Sequence, residues 1–311
     1  MRNRRIGIVT PNIEDDWEST QLLDVDSGVE ALPVDPMSFE MRIHGTPSIR
    51  IAGRPAEDFD ALIVRGFNKL GEIDYQYEVF ELYEQLGGLV INSPASLSLA
   101  ESKPQTTYCL QRAGLPVPRT FATQVRDNAR MSVREFHSAV AKPLYGSHGI
   151  GIEKLEGADG EEMAADLMKA YGALCIQEYV PNAGRDIRAF VIGDEVSAAM
   201  YRIAREGEWK TNVFQGSRCE PCELSAELRE LCVKATSVIG LDYTGVDIME
   251  GPDGPVILEL NGTPSWYGLS HVTDRNIAED IVSYVIRMLE AGRSARQPEG
   301  FLVPERIVPD T

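Results

Sequence analysis

Residues 243–261 read YTGVDIMEGPDGPVILELN. Two apolar runs flank a glycine- and proline-rich break, so the stretch predicts a hairpin with strands over YTGVDIME and PVILELN, closed by Gly251–Gly254. Asp247 lies on the first strand. Glu259 and Asn261 stand at i and i+2 on the second and share a face, because side chains alternate along a strand. Pairing across the turn lets three oxygen-bearing side chains converge where the preceding Pro-Val-Ile predicts burial. A buried carboxylate is costly unless a cation compensates it, and hard oxygen donors suit Mg²⁺, which takes one or two carboxylates together with phosphates. The plainer alternative is a solvated strand face.

Three further features lie upstream. In AKPLYGSHGIGI (141–152), Lys142 ends an apolar strand, and Gly146, Ser147, Gly149 and Gly151 follow before the chain resumes as a strand. Backbone N–H groups of such a turn can wrap an anion while the lysine supplies charge. The spacing is neither a Walker loop nor a dinucleotide fingerprint, and alone it reads as well as an ordinary hairpin. Next, QEYV (Gln177, Glu178, Tyr179, Val180) ends a strand and passes into PNAGRD, where exposed backbone and a tyrosine could form an adenine edge-and-stack site. Finally, Asp186, Arg188 and Arg202 punctuate adjacent strands. Two arginines facing one way bind carboxylate or phosphate through charge-assisted forks, although exposed strand charges account for them equally.

Around these motifs the chain changes character. Ile6–Thr10, Ala61–Arg65 and Gly88–Asn92 read as short, continuously apolar strands, with helical spacing over Tyr75–Leu86. That pattern predicts a parallel sheet covered on both faces, hence a small α/β unit over roughly the first 95 residues. A helix entered at SKPQTT takes Ser102 as its N-cap and ends at Ala113–Gly114; LPVPRTF then reads as extended. From about 138, strands over AVAKPLYG, IGIEKL, ALCIQEYV, DIRAFVIG, VSAAMYRIA and WKTNVF are joined by glycine turns, with helices over Ala158–Tyr171, Ser225–Ile239 and Asp274–Leu289. The fold class is therefore α+β with an α/β N-terminal unit.

In this order SK (102–103), KPLYGSHGIGI, QEYV, GRDIR, MYR (200–202), WKTN (209–212), GVD and LELN resemble the ATP-grasp superfamily, specifically its RimK-type, α-L-glutamate ligase-like branch. The resemblance runs from about residue 60 to 288 and takes in FNKLG, NSPASL, AGLPVPRTF and TPSWYGLSHVT. It implies an N-terminal domain over 1–95, a central subdomain with the glycine loop over 96–178, a C-terminal subdomain with the metal site over 179–291, and a tail over 292–311, with ATP between the central and C-terminal parts. By the same resemblance, Lys103 and Lys142 bind ATP phosphates under the loop from Gly146 to Gly151. Gln177, Glu178, Tyr179 and Val180 border the adenine, and Asp186 meets the ribose. Asp247, Glu259 and Asn261 hold two Mg²⁺ ions, with Mn²⁺ as an alternative. Arg188, Arg202 and Asn212 orient a carboxylate and the transferred phosphoryl group.

The implied reaction is ADP-forming C–N ligation. A carboxylate takes the γ-phosphoryl group of ATP, and an amine then displaces phosphate to give an amide. Glutamate or a similar amino acid is the expected donor, and a small acid, cofactor or peptide carries the acceptor carboxylate. A phosphotransferase acting on a hydroxyl and a non-catalytic nucleotide-binding module are the alternatives; retention of both lysines and the oxygen triad weighs against the second. The branch also implies a homo-oligomer, a dimer or tetramer. Relatives commonly carry two glycines after the TN element, where this chain reads Gly216–Ser217. Trp266 and Tyr267 are read as walling an acceptor pocket or packing the last helix, with packing favoured.

Charge bounds the rest. The 311 residues carry a net charge of −18, which disfavours a nucleic-acid or anionic-membrane partner, and no apolar run reaches membrane-spanning length. Residues 1–90 hold 8 basic and 17 acidic residues, whereas 184–218 hold 6 basic and 5 acidic ones, so the acidity belongs to the envelope rather than to the expected site. Five cysteines, without an export signal, point to a reducing cytoplasm. Cys219 and Cys222 form a CxxC in a polar stretch before a helix, without the second pair that zinc needs.

Overall fold

The computed structural model describes residues 3–144, 151–211 and 216–299. The N-terminal part is a parallel sheet. β1 (Arg5–Val9) is followed by α1 (Trp17–Leu23) and β2 (Glu30–Val34); a three-stranded antiparallel sheet, β3 (Phe39–Arg42), β4 (Ser48–Ile51) and β5 (Arg54–Pro55), intervenes; then come β6 (Ala61–Val64), α2 (Ile73–Gln85) and β7 (Val90–Ile91). The parallel order is β2-β1-β6-β7. Every residue of β6 is buried, because both faces are covered, as its unbroken apolar run predicts. Leu62 and Val64 face α2 and the small sheet through Phe80, Phe39 and Ile51, while Ala61 and Ile63 face the opposite way.

Two helices lead out of this sheet: α3 (Pro94–Glu101), capped by the Ser93 hydroxyl with Pro94 at its first position, and α4 (Lys103–Arg112). Ser102 takes the expected N-cap position of α4, with Pro104 in the first turn, but makes no side-chain capping bond; it also closes α3, so its backbone is shared between two helix ends.

The second sheet is antiparallel, in the order β10-β9-β11-β8. It contains β8 (Thr120–Thr123), α5 (Arg126–Phe136), β9 (Ser138–Pro143), β10 (Glu153–Glu156), α6 (Gly157–Tyr171) and β11 (Leu174–Glu178). Its core is Val133, Leu155, Met168 and Ile176 beneath the two helices.

The third sheet, also antiparallel, follows the order β14-β13-β12-β15-β16. Its elements are β12 (Arg185–Ile192), β13 (Glu195–Ile203), β14 (Arg218–Pro221), α7 (Ala226–Ile239), β15 (Tyr243–Gly251), β16 (Gly254–Asn261) and α8 (Ile277–Ala291). The edge strand corrects the expected one. Trp209–Thr211 form no strand, because their side chains turn into the cleft described below, and the rest of WKTNVF (212–215) lies outside the described residues. β14 takes that edge instead, pairing Arg202 with Cys219, so the CxxC lies on and just past a sheet edge rather than in an irregular stretch. All five cysteines are free thiols.

The parallel and third sheets share a core. Ile6, Ile8, Ile63 and Ile91 pack with Phe190, Tyr243 and Trp266 under α8. Asn92, fully buried just after β7, fastens the junction: its Nδ2 donates to the carbonyls of Tyr243 (2.9 Å) and Gly262 (2.7 Å), and its Oδ1 accepts from the backbone of Asp242 (2.6 Å) and Tyr243 (3.1 Å). All four groups of one amide are satisfied, so the strand carrying Asp247 is referenced directly to the N-terminal sheet.

Candidate active site

The β15–β16 hairpin builds the floor of the site. Asp247 pairs directly with Glu259, and the register shifts between Asp247 and Ile248, which faces Ile257. The extra residue is Leu258. Ile257 and Leu260 therefore both enter the core, while Leu258 and Glu259 both line the opposite face, where Asn261 follows. A bulge of this kind re-aims side chains, and here it turns Glu259 toward Asp247. The Asn261 Nδ2 donates to the Gly245 carbonyl (3.1 Å), fixing the amide.

Asp247 sits in a buried charge network. Its carboxylate accepts from the Arg188 guanidinium, with Nη2 at 3.2 Å from Oδ2, and from Arg202 Nη2 at 3.0 Å. Arg202 in turn makes a two-pronged pair with Asp186 (2.7 and 2.5 Å), whose Oδ2 also accepts from the Thr211 hydroxyl at 2.7 Å. Burial pushes the Asp247 carboxyl up, but the Arg188 and Arg202 guanidiniums beside it outweigh that and hold it below the ordinary carboxylate value. Burial likewise works against the Arg202 charge, and Asp247 and Asp186 overcome it. A Cβ at 245 would stand 2.5 Å from Arg188 Nη1, so Gly245 leaves that side chain its present path to Asp247.

Lys142, buried on β9, faces this network from the second sheet. Its Nζ donates to Gln177 Oε1 (2.5 Å), and Gln177 Nε2 reaches the Thr120 hydroxyl (3.2 Å). Burial pulls the Lys142 ammonium below its usual value, with Glu259 opposing the shift. Lys103, in the first turn of α4, lies 3.9 Å from Glu259 Oε1. A cleft opens between the two sheets, lined at one end by Asp186, Arg202, Asp247 and Glu259 and at the other by Tyr179, Val180 and Trp209. Tyr179 meets Trp209 edge-on (centroids 6.3 Å), and the Lys154 ammonium stands over the Tyr179 ring at 4.1 Å.

No group of three or more His, Cys, Asp or Glu side chains placed to hold a metal occurs among the described residues. The donor set is the Glu259 carboxylate and the Asn261 amide oxygen, with the Asp247 carboxylate, already held by Arg188 and Arg202, offering its remaining lone pairs; that hard-oxygen composition fits Mg²⁺.

Comparison with known proteins agrees with this geometry. The RimK-like ATP-grasp domain matches residues 100–285. The chain belongs to the RimK-like ATP-grasp family. It is 32% identical over 329 residues to the tetrahydromethanopterin:α-L-glutamate ligase of Methanosarcina acetivorans, covering 92% of this chain and 100% of that protein. It is 40% identical over 209 residues to the enzyme of the same name from Methanocaldococcus jannaschii, covering 65% of this chain and 72% of the relative. Among solved structures, the ATP-grasp ligase PsnB complexed with minimal precursor, Mg and ADP superposes with a TM-score of 0.72 at 25% identity, over 92% of this chain and 98% of that one. The expected fold class is the ATP-grasp fold, and the expected activity class, ATP-dependent C–N ligation, is that of its named relatives.

Within this RimK-like chain, the structure brings Lys103, Lys142, Gln177, Glu178, Tyr179, Val180, Asp186, Arg188, Arg202, Asp247, Glu259 and Asn261 to the cleft or its rim. Two of them are engaged otherwise than expected. The Asp186 oxygens are taken up by Arg202 and Thr211 rather than left open to a ribose, and Gln177 ties down Lys142. Gly146, Ser147, Gly149 and Asn212 lie outside the described residues; Gly151 is within them, with a positive φ that leaves its α-hydrogens toward Tyr171 and Pro143. At the departure Gly216–Ser217, Gly216 carries φ +87° and packs under Arg205, so this glycine is the one the loop requires. Trp266 is buried in the shared core, whereas Tyr267 is half exposed. Sequence reasoning passed over Thr211 and Trp209, although both stand inside the quoted WKTN.

Proposed function

We propose that this protein is an ATP-dependent ligase that joins glutamate, or a close analogue, to a carboxylate on a small acid, cofactor or peptide. The observation that carries the reading is the pairing of Asp247 with Glu259 directly opposite Lys142, at the deep end of a cleft whose other end is aromatic. A nucleotide fits that polarity: base against Tyr179 and Trp209, phosphates against Lys142 and Lys103. Asp247, Glu259 and Asn261 would hold Mg²⁺, two ions in the expected form, which when bound neutralises charge on the phosphates.

The chain's own residues do the rest. Lys142 is aimed by Gln177 and presents a fixed charge with little reorganisation. Arg188 and Arg202 form a cationic wall that can receive the acceptor carboxylate and the transferred phosphoryl oxygens. Asp186 acts by orienting Arg202 rather than by touching substrate. Facing sheets on either side of the cleft shield an acyl phosphate from water. Five free thiols suit the cytoplasm, and no helix among the described residues is long and apolar enough to cross a membrane.

The test is ADP release with ATP, Mg²⁺ and glutamate across a panel of acceptor acids that begins with tetrahydromethanopterin, with mass spectrometry of the products and hydroxylamine as a trap. A glutamyl product and an acceptor-dependent hydroxamate are expected. Phosphorylation of a hydroxyl, with no hydroxamate, would replace ligase by phosphotransferase.

A further inference from the structure

A second place of interest lies outside the nucleotide cleft, at the carboxyl ends of β1 and β6. The chain leaves β1 for β2 on one side of the sheet and later returns to β6 on the other, so strand order reverses between them. In open parallel sheets that reversal opens a crevice where ligands bind. Arg65 is the residue directly after β6, and it is only 8% exposed.

Its bonding is incomplete. Nη1 donates to the Pro264 carbonyl (2.9 Å) and reaches the Tyr243 hydroxyl (3.5 Å), and the guanidinium lies 4.9 Å over the Trp266 ring. Its buried Nε has no hydrogen-bond partner, and no carboxylate stands within ion-pair distance among the described residues. Asp16 and Glu18 are close enough to act on its charge, but both are committed elsewhere. Asp16 caps α1 and accepts from the Thr10 hydroxyl (2.9 Å), and Glu18 accepts from the Ser265 hydroxyl. A guanidinium removed from water without a direct counter-ion is costly, and the cost falls when an anion enters.

The surroundings define that anion. Asp16 and Glu18 repel a polyphosphate several times more strongly than a singly charged carboxylate, so the smaller anion is the one favoured. Pro264 is three residues beyond Asn261, a reach of at most about 10 Å, so one small molecule can touch both places. Next to Trp266 in the chain, half-exposed Tyr267 meets Trp17 (5.4 Å) and His271 (4.7 Å) edge-on.

We infer that this crevice is the subsite for the amino-acid substrate, with Arg65 receiving one of its non-reacting carboxylates. The inference rests on the ligase reading above. It is tested by calorimetric titration of L-glutamate, L-glutamine and L-isoglutamine into the full chain saturated with ADP and Mg²⁺, for the wild type and Arg65→Gln. Wild type should prefer glutamate to one of the two monoamides by roughly 10- to 100-fold, the worth of a charge-assisted bond. Arg65→Gln should erase that preference while leaving ADP affinity within about twofold. Equal weakening of all three ligands, an unchanged preference, or a parallel loss of ADP binding would overturn the assignment.

If Arg65→Gln does not fold, tryptophan fluorescence keeps the question answerable. The change on adding glutamate should persist in Trp209→Phe, because Trp266 lies against Arg65; its loss in Trp209→Phe overturns the subsite. Product analysis separates the two readings. Glutamate ligation whose glutamate dependence is unchanged in Arg65→Gln removes the subsite alone, whereas ATP turnover with no amide from any amino acid removes the ligase reading.

Discussion

Two buried arginines meet the same physical problem in different ways. Arg202, 4% exposed, is held by two carboxylates and is electrostatically complete. Arg65, at 8%, rests on a carbonyl, a phenol and an aromatic face, with no carboxylate in contact among the described residues and its Nε unpaired. The first network positions groups without outside help. In the second region Asp16 and Glu18 favour the charge only from a distance, and one buried N–H is left without a partner.

The sharpest way to break the comparison is Asp247→Ala. It leaves Arg188 without its carboxylate and Arg202 with one of two, so unfolding in denaturant should show a loss of about 3–5 kcal/mol, together with loss of turnover. An unaltered midpoint would mean the network is not electrostatically closed.

Next in size is an effect of pH on stability, read at the junction between the two regions. Burial pushes the Asp242 carboxyl from 3.8 up to about 6, against hydrogen bonds from Tyr284 and the Arg296 backbone. A raised folded-state value means the folded chain binds the proton more tightly. This contribution is therefore fully present below pH 3.8 and is lost as pH rises through about 6. It amounts to about 3 kcal/mol over that interval, and Asp242→Asn should flatten the part of the unfolding profile that falls there.

Glu259→Gln sharpens the contrast from the other side. Glu259 is linked only loosely to Lys103 and carries little of the network, so turnover should fall roughly a hundredfold or more with the melting temperature nearly unchanged. A large loss of stability would make Glu259 structural. Smallest is Trp209→Ala, which removes one aromatic wall; steady-state kinetics should show KM for ATP rising about tenfold with kcat little changed.

The elements most legible in sequence were those whose local pattern and environment agree. The fully apolar β6, the β15–β16 hairpin and α7, closed by Gly240, all appear where periodicity and turn signals predict them. The helix over Arg126–Phe136 went unread, since it carries few apolar positions and lacks a side-chain cap. WKTN misled for a related reason: its β-forming residues spend their side chains on the cleft, not on a ladder. Of the candidate site, residue identities were readable from motif order, but partners were not. Nothing local says that Asp186 faces Arg202, or that Gln177 holds Lys142, because each pair joins different strands.

By itself, then, the sequence determined the family, the oxygen-bearing hairpin and the placement of excess acidity away from the cleft. Tertiary structure alone decided which charges are already satisfied. The bulge at Leu258 aims Glu259, the two next strands supply the counter-ions of Asp247, and Arg65 is left with one buried N–H unpaired. Those outcomes depend on distances between groups far apart in the chain, and Coulombic energy follows distance and burial, not position in sequence.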